Sequence, residues 1–546
     1  MADTARRGWA RALFAALLPL LVPAPADAEP TEETEVSAEY RVQHSTMSPL
    51  SLNDTTASDV AFAEQRLRVE AAAGIGGPVR IRVQADLLNG VLFGDNGSLL
   101  GSPRRNRGAD IAARSPNLSR LSVGRLDPGR SSLDLDNYGL VLEPADAVTL
   151  NHVYAEVSLP FGLLRGGRQP ISNSRTVLVH SGQRINRWGI SRDHDSTDGL
   201  ALATKLSVIT DVLAGLRPDV SLDKGLFLAV LMGQVVEQDP ARNDDDLQQI
   251  ATKLFYTATD EVVLGRKVER ASASVVHSWR HSARFDTDLQ TLTGAIEIET
   301  KTLRLVFHHT EMLGQTREVA EALALFSDTP GGPELQQIRA FGGFGELALR
   351  LSPVELSFEV YYASGDDDPQ LETDFEQLTF APDTNVGLHL FENVLAYQTE
   401  RSARLGVENL RALGPPTLPL DGLSTRGGLQ NAVVLFPQVL ASPTPWLDLR
   451  AGILLAFTHV PSVDPIGTLL HADGVETDDD KRNFSQGPPG SRWGTEYDVG
   501  LTLRPREGFS LDLEGAYLVP GDALVDEHGD AVDSFFAAVR MTWWTG

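Results

Sequence analysis

One pattern constrains this chain more than any other: segments of about nine to eleven residues in which apolar side chains alternate with charged or polar ones. Val79, Ile81, Val83, Ala85 and Leu87 share one face of a strand, and Arg80, Arg82, Gln84 and Asp86 the other. Upstream, Leu67, Val69 and Ala71 oppose Glu64, Arg66, Arg68 and Glu70, and Gly74 to Pro78 turns the chain between the two runs. The unit recurs around Leu347 to Tyr362, Tyr497 to Tyr517 and Ile296 to Phe307, and it ends on Phe535, Ala537, Val539, Met541 and Trp543. A soluble sheet rarely carries full charges on the same face of nearly every strand. A barrel with lipid outside and water inside requires it. Leu349 and Leu511 are therefore expected against lipid, and Glu346 and Asp512 in the lumen.

The expected fold is all-β: a transmembrane antiparallel β-barrel of about 18 strands (roughly 16–20), with short periplasmic turns and long outer loops. Ser352-Pro353, Thr300 to Thr302 and Pro505 to Gly508 are short links. Residues 94–117, 170–197, 312–340, 364–386, 461–494 and 519–533 are long and polar ones. The stretches 199–281 and 386–440 do not resolve into elements by pattern. Residues 1–28 read as a signal peptide, with Arg6, Arg7 and Arg11 ahead of an apolar run and Ala26-Asp27-Ala28 as the cleavage pattern. Residues 29–58 then read as an N-terminal leader segment, too short for a plug domain, and 59–546 as the barrel.

Composition removes several alternatives. The 546 residues include no cysteine, so disulfides, thiolate metal sites and cysteine nucleophiles are out. The formal net charge is −27, which opposes sequence-independent nucleic-acid binding. Mean hydropathy is −0.13 and no apolar run is long enough for a membrane helix.

From Gly166-Gly167-Arg168-Gln169 through Arg184, Asn186-Arg187-Trp188-Gly189 and Arg192-Asp193 to Asp198-Gly199-Leu200, the chain resembles outer-membrane porin-type and alginate-export barrels of Gram-negative bacteria. These often end a strand on Gly-Arg-Gln, continue in an Arg/Asp loop and open the next strand with Asp-Gly. The match covers about residues 163–206. It implies an eighteen-strand pore with a charged lumen that conducts a small polar or anionic solute, without cofactor. Outer-membrane lipid, lipopolysaccharide and the barrel-assembly machinery are the partners implied by such a location.

Two groups of arginines are candidate pore-lining residues. Arg66, Arg68, Arg80 and Arg82 share the lumen face with Glu64, Glu70 and Asp86, so a neutralised ladder and an anion path are both open. Arg165, Arg168, Arg175, Arg184, Arg187 and Arg192 crowd one segment. Folded inward, it would narrow the lumen with guanidinium groups that bind anions bidentately; left outside, it would be a solvated outer loop.

No catalytic or metal residues are assigned. Adjacent His308 and His309 point to opposite faces of a strand, and His277 and His281 share a face but stand too far apart for one ion. The acidic runs Asp244 to Asp246, Asp366 to Asp368 and Asp478 to Asp480 lack the glycine and ligand spacing of a calcium loop. The functional expectation is a passive outer-membrane channel. A non-conducting barrel (adhesin or embedded hydrolase) and a secreted soluble all-β protein are the alternatives.

Overall fold

In lipid no water satisfies exposed backbone amides, so a sheet can cross only if it closes. The computed structural model does close. It describes residues 34–545, apart from 54–59, 76, 95–145, 160, 172–175, 180–185, 192–194, 218, 220–222, 236–246, 264–265, 284, 318–334, 369–372, 383, 414–423, 426 and 473–478. Eighteen strands form one antiparallel sheet in which every strand pairs with its neighbours in sequence, and the first pairs with the last. The strands used below are β1 (Thr34–Ser48), β2 (Val60–Gly74), β3 (Val79–Gly94), β4 (Asp146–Leu159), β5 (Gly162–Pro170), β6 (Ser196–Lys205), β7 (Lys224–Val235), β8 (Gln248–Val263) and β9 (Arg266–Ser282) in the first half. The second half has β10 (Thr287–Glu299), β11 (Leu303–Thr316), β12 (Gln336–Leu351), β13 (Val354–Ala363), β14 (Ala432–Thr444), β15 (Leu447–Phe457), β16 (Arg492–Arg506), β17 (Phe509–Pro520) and β18 (Ser534–Thr545). Nothing is described for residues 1–33, where the signal-peptide expectation falls.

Residues 29–58 are not a leader ahead of the barrel. Thr34–Ser48 is β1, and it closes the wall by pairing Ala38 with Thr545 and Ser48 with Phe535. Its lumen face carries Ser37, Glu39, Arg41, Gln43 and Ser45, while the other face mixes Ala38, Tyr40, Val42, His44 and Thr46. The alternation is too diluted to read locally; the neighbours β2 and β18 are what specify it.

The faces fall as the alternation requires, and inside out relative to a soluble protein. Leu349 and Val499 are exposed to the outside, whereas Glu346, Asp512 and Glu514 are buried. Along β18, Phe535, Val539 and Met541 face out, and Ser534, Phe536, Ala538 and Arg540 face in.

One side of the barrel has tight links such as Thr300 to Thr302, Ser352-Pro353 and Glu507-Gly508, and the other side has the long ones. The link from β6 to β7 departs from this. It lies on the short-turn side yet spans residues 206–223 and contains helix α1 (Leu206–Leu213). The largest departure is residues 364–431, between β13 and β14. Their described part holds a π-helical turn, Leu390–Leu395, that continues as α2 (Ala396–Leu413), and the stretches 378–380 and 388–397 turn into the barrel instead of standing above it. Leu378, Phe380, Leu388, Phe391, Val394 and Tyr397 pack there with wall residues Phe62, Phe344, Phe436 and Trp493 in one apolar cluster. A further helix, α3 (Pro465–His471), sits in the link after β15, N-capped by Asp464.

The face assignment predicts a depth-dependent cost. Arg in place of Val499, mid-strand on the outer face, should destabilise the folded barrel by about 2–4 kcal/mol, and in place of Leu349, two residues from a turn, by about 0–1 kcal/mol. Ser274→Arg, on the lumen face of β9, should leave folding unchanged. Urea titrations in phospholipid vesicles would measure this; equal costs at all three positions would refute the outward placement of Val499.

Candidate functional site

The wall arginines named from the sequence face inward, but each has a carboxylate. Arg68 lies in register with Asp86 and grips it through two bonds of 2.7 and 2.8 Å. Arg66 reaches Glu39 at 2.8 Å, Arg80 reaches Glu35 at 2.6 Å, and Arg82 and Arg165 share Glu156 at 2.6 and 2.8 Å. This half of the wall is a neutralised ladder, one of the two readings left open above. Asp86 faces Arg68 directly, with Arg66 the next lumen residue along β2.

Arg168 is not brought to this ladder. It is in register with Val153 and Asp198, and it shares its face with exposed Leu200, opposite to that of Arg165. Its guanidinium makes two 2.9 Å bonds to Asp198 on the outer wall. The odd offset of three residues from Arg165 already implies opposite faces. Arg175, Arg184 and Arg192 lie outside the described residues.

Arg187 does reach the lumen. Residues Asn186 to Ser191 lie against the inner wall, and each contact has a distinct source. Arg187 donates to Glu355 at 2.9 Å, stands 3.5 Å from Glu346, and bonds Ser357. The Trp188 indole donates to Gln438 at 2.9 Å and stacks beneath the Arg450 guanidinium, 5.3 Å from the ring centre. The Gly189 amide donates to Glu514 at 3.1 Å. The Ser191 carbonyl accepts from both Arg41 (3.3 Å) and Arg66 (3.2 Å). Gly189 has φ +64°, and a Cβ there would stand 2.6 Å from the Asn385 amide, which bonds the carbonyls of Trp188 and Ile190. Only glycine fits this crossing.

Beneath that segment, on the short-turn side, a cavity of about 860 Å³ opens. Seven arginines line it (Arg41, Arg66, Arg68, Arg187, Arg450, Arg504 and Arg540) with four carboxylates (Glu39, Glu70, Asp448 and Asp512), and Asp86, Glu355 and Glu514 stand just behind the lining on Arg68, on Arg187, and on Arg450 and Arg540. The chain as a whole carries −27. Arg450 and Arg540 converge on Glu514 at 2.6 and 2.9 Å, and Arg504 reaches Asp448. Arg41 differs: its guanidinium is buried and its described hydrogen bonds go to the Ser191 carbonyl. The sequence pattern did not assign Arg41, Arg450, Arg504 or Arg540 to a site. Arg540 and Arg504 were visible as polar-face residues, but their convergence with Arg41 follows from the β1–β18 seam, which joins residues about 500 positions apart.

The second inward segment, residues 364–431, is tied down by a wall carboxylate. Glu496 of β16, fully buried, accepts the amides of Leu388 (2.7 Å), His389 (3.0 Å) and Leu390 (2.5 Å). These donors open the helical stretch, so the anion also meets the positive end of the helix dipole. Gly387, at φ +76°, brings the backbone close enough that a Cβ would stand 2.7 Å from the Glu496 carboxylate. His389 bonds Ser534 of β18 at 2.7 Å.

The histidine geometry agrees with the alternation. His308 is buried and stacks on Phe344, while His309 faces the other way beside Glu311. Of the acidic runs, Asp244 to Asp246 and Asp478 fall outside the described residues. Asp366 accepts the amides of Asp368 and Glu376 at 3.0 and 3.1 Å, and burial raises its carboxyl to about 6.

No family model matches the chain, and no curated protein matches it. Among solved structures, it is similar to Pseudomonas aeruginosa OccK9 (OpdG), at 10% identity over 95% of this chain and 99% of that one, TM-score 0.48. It is similar to Acinetobacter baumannii OccAB2, at 12% identity over 95% and 100%, TM-score 0.47. A third is the outer membrane protein opdK of Pseudomonas aeruginosa, at 9% identity over 94% and 99%, TM-score 0.44.

The Glu496 anchor generates a prediction. Glu496→Ala leaves three buried amides without their acceptor, each worth about 1–3 kcal/mol when orphaned. The barrel should still form, because no strand pair is lost, but residues 386–400 should exchange amide hydrogens at least tenfold faster. Hydrogen-exchange mass spectrometry reads this directly; unchanged exchange would show that the apolar contacts alone hold the segment.

Proposed function

We propose that the chain is an outer-membrane channel through which small polar or anionic solutes diffuse passively. The observation that carries this reading is the arginine-lined cavity beneath Asn186 to Ser191, where the described bonds of Arg41 go to a carbonyl and not to a carboxylate. At the long-loop mouth, Asp366 to Asp368, Asp479 and Asp480 present a field that attracts cations; in the cavity, guanidinium groups are presented where walls exclude bulk water. A guanidinium cluster in such a confined space raises the local anion concentration and opposes cation entry. Diffusion is then downhill, with no energy coupling. Export through the signal peptide at residues 1–28, assembly by the outer-membrane machinery, and contact with lipopolysaccharide belong to the same reading.

Within it, Arg41 is the residue with the most to offer a passing anion. Its described bonds go to a carbonyl, so its charge is not cancelled by a directly bonded carboxylate. Arg187 acts differently. It ties the crossing segment to β13 and so sets the width of the passage.

A non-conducting barrel is the second reading, and the apolar cluster built on residues 364–431 inside the barrel is what favours it. Planar-bilayer recording separates the two. The channel reading predicts discrete conductance steps and a reversal potential on the anion side across a salt gradient. Mouth charges are screened over about 8 Å at physiological ionic strength, whereas charges in a confined cavity are screened less, so the preference should persist at moderate salt. Arg41→Gln should move the reversal potential toward zero with conductance little changed, and Arg187→Ser should raise conductance. Absence of steps would establish the second reading; an unmoved reversal potential in Arg41→Gln would remove the cavity from the permeation path.

A further inference from the structure

Strand links on the short-turn side are mostly two to four residues long, as sheet geometry favours. The link from β6 to β7 instead takes residues 206–223 and builds a helix. Helix α1 starts at Leu206 with no residue between it and the last residue of β6, Lys205. Eight residues at 1.5 Å each carry it only about 12 Å, so all of α1 stays within reach of the membrane surface that surrounds the strand ends. The return is also fixed. Lys205 is buried, with its ammonium 2.8 Å from Asp219 and its stem lying over Gly225, the second residue of β7. At the helix end, Gly215 adopts φ +69° and the Leu216 amide bonds the Asp211 carbonyl at 2.8 Å, the six-to-one closure that sets Leu216 in a defined place.

The exposed side of this ordered unit is apolar. Ile209, Leu213 and Leu216 follow spacings of four and three, so they form one stripe, and their exposures are 37, 77 and 62%. Val208 beside the stripe is buried, so the helix already spends one apolar residue on the protein and turns three others away from it. Ser207, on the opposite face, is exposed and polar. The two strands that flank α1 are apolar on their outer face: Leu200 and Met232, paired across β6 and β7, and Leu226, two residues into β7, all face outward. Short, joined directly to a membrane strand and carrying an exposed apolar stripe, α1 has the chemistry of a segment that lies on a membrane.

We propose that α1 is an interfacial foot. Ile209, Leu213 and Leu216 enter the headgroup layer of the leaflet on the short-turn side, with phospholipid acyl chains as their partner, and so hold the barrel at a set height and tilt. This inference rests on the membrane-spanning barrel and is independent of whether the barrel conducts. The headgroup layers extend the bilayer from about 30 Å to about 40–45 Å, which leaves on each side a depth of the size such a short helix occupies.

The absence of native cysteine makes the test direct, because each engineered cysteine carries the only label. Leu213→Cys, Leu216→Cys and Ser207→Cys are each labelled with an environment-sensitive nitrobenzoxadiazole probe. Each full chain is then folded into phosphatidylethanolamine–phosphatidylglycerol vesicles containing lipid with a nitroxide near the headgroup. Leu226→Cys serves as the control on the barrel wall. The proposal expects quenching at positions 213 and 216 at least threefold stronger than at 207, with blue-shifted emission. Quenching at 213 and 216 no greater than at 207, with position 226 quenched, would overturn it and leave the stripe as a surface for a soluble partner. An unquenched position 226 would instead sink the membrane-spanning assignment, so the two failures are distinguishable. Should a label at 213 impair folding, Leu213→Asp in the otherwise native chain gives a second measure. The proposal then expects at least a tenfold loss of vesicle association for the partly folded chain at its insertion step, and an unchanged association overturns it.

Discussion

Everything in this molecule depends on the seam between β1 and β18. A sheet in hydrocarbon cannot leave an edge, because each unsatisfied amide there costs several kcal/mol. Eleven residue pairs from Ala38–Thr545 to Ser48–Phe535 remove the two edges of an eighteen-stranded sheet. Once the seam forms, the curvature of the wall is set, the polar faces of all strands converge on one lumen, and residues from the two ends of the chain become neighbours. Arg41 and Arg540 line the same cavity for that reason.

Convergence creates an electrostatic problem that the wall resolves pair by pair. Arginines on adjacent strands would repel one another across about 5 Å if carboxylates did not intervene. In β1 to β5 they do: Glu39, Asp86 and Glu156 each sit between guanidinium groups, and the ladder is locally neutral. In the seam region the balance shifts, because Arg41 and Arg66 are cross-strand partners of the same sign and both turn to the Ser191 carbonyl. Of the seven cavity arginines, Arg41 is thus the one whose described bonds include no carboxylate, and it stands where the crossing segment meets the wall.

Two inward segments use different physics. Asn186 to Ser191 is held by polar contacts to at least four strands and needs glycine at 189 for its backbone. Residues 364–431 bring their own apolar core into a lumen that is otherwise polar, and the Glu496 carboxylate satisfies the amides that such a helix start exposes. The lumen is therefore part pore wall and part ordinary protein interior, which accounts for Phe62, Phe436 and Trp493 being buried on faces that elsewhere carry charge.

Period-2 alternation is a property of neighbouring residues, so the sequence alone determined what alternation controls: the barrel class, the outward placement of Leu349 and Val499, the inward placement of Glu346, Arg66, Arg82 and Asp512, and the opposite faces of His308 and His309. Crowding in sequence misleads at Arg168: it lies near Arg165 along the chain, yet the odd spacing of three puts the two on opposite faces of β5. It could not show that Thr34–Ser48 is a strand, since the outward face of β1 is mixed and only its pairing with β2 and β18 stabilises it. Nor could it show the helical stretch that opens at Leu390, whose residues Leu390, Phe391, Val394, Leu395 and Tyr397 pack on a lumen surface assembled from β2, β12, β14 and β16. The arginine cavity was likewise decided by tertiary structure. Which guanidinium is neutralised and which stays available depends on strand register and barrel closure, and both are set by contacts between residues hundreds of positions apart.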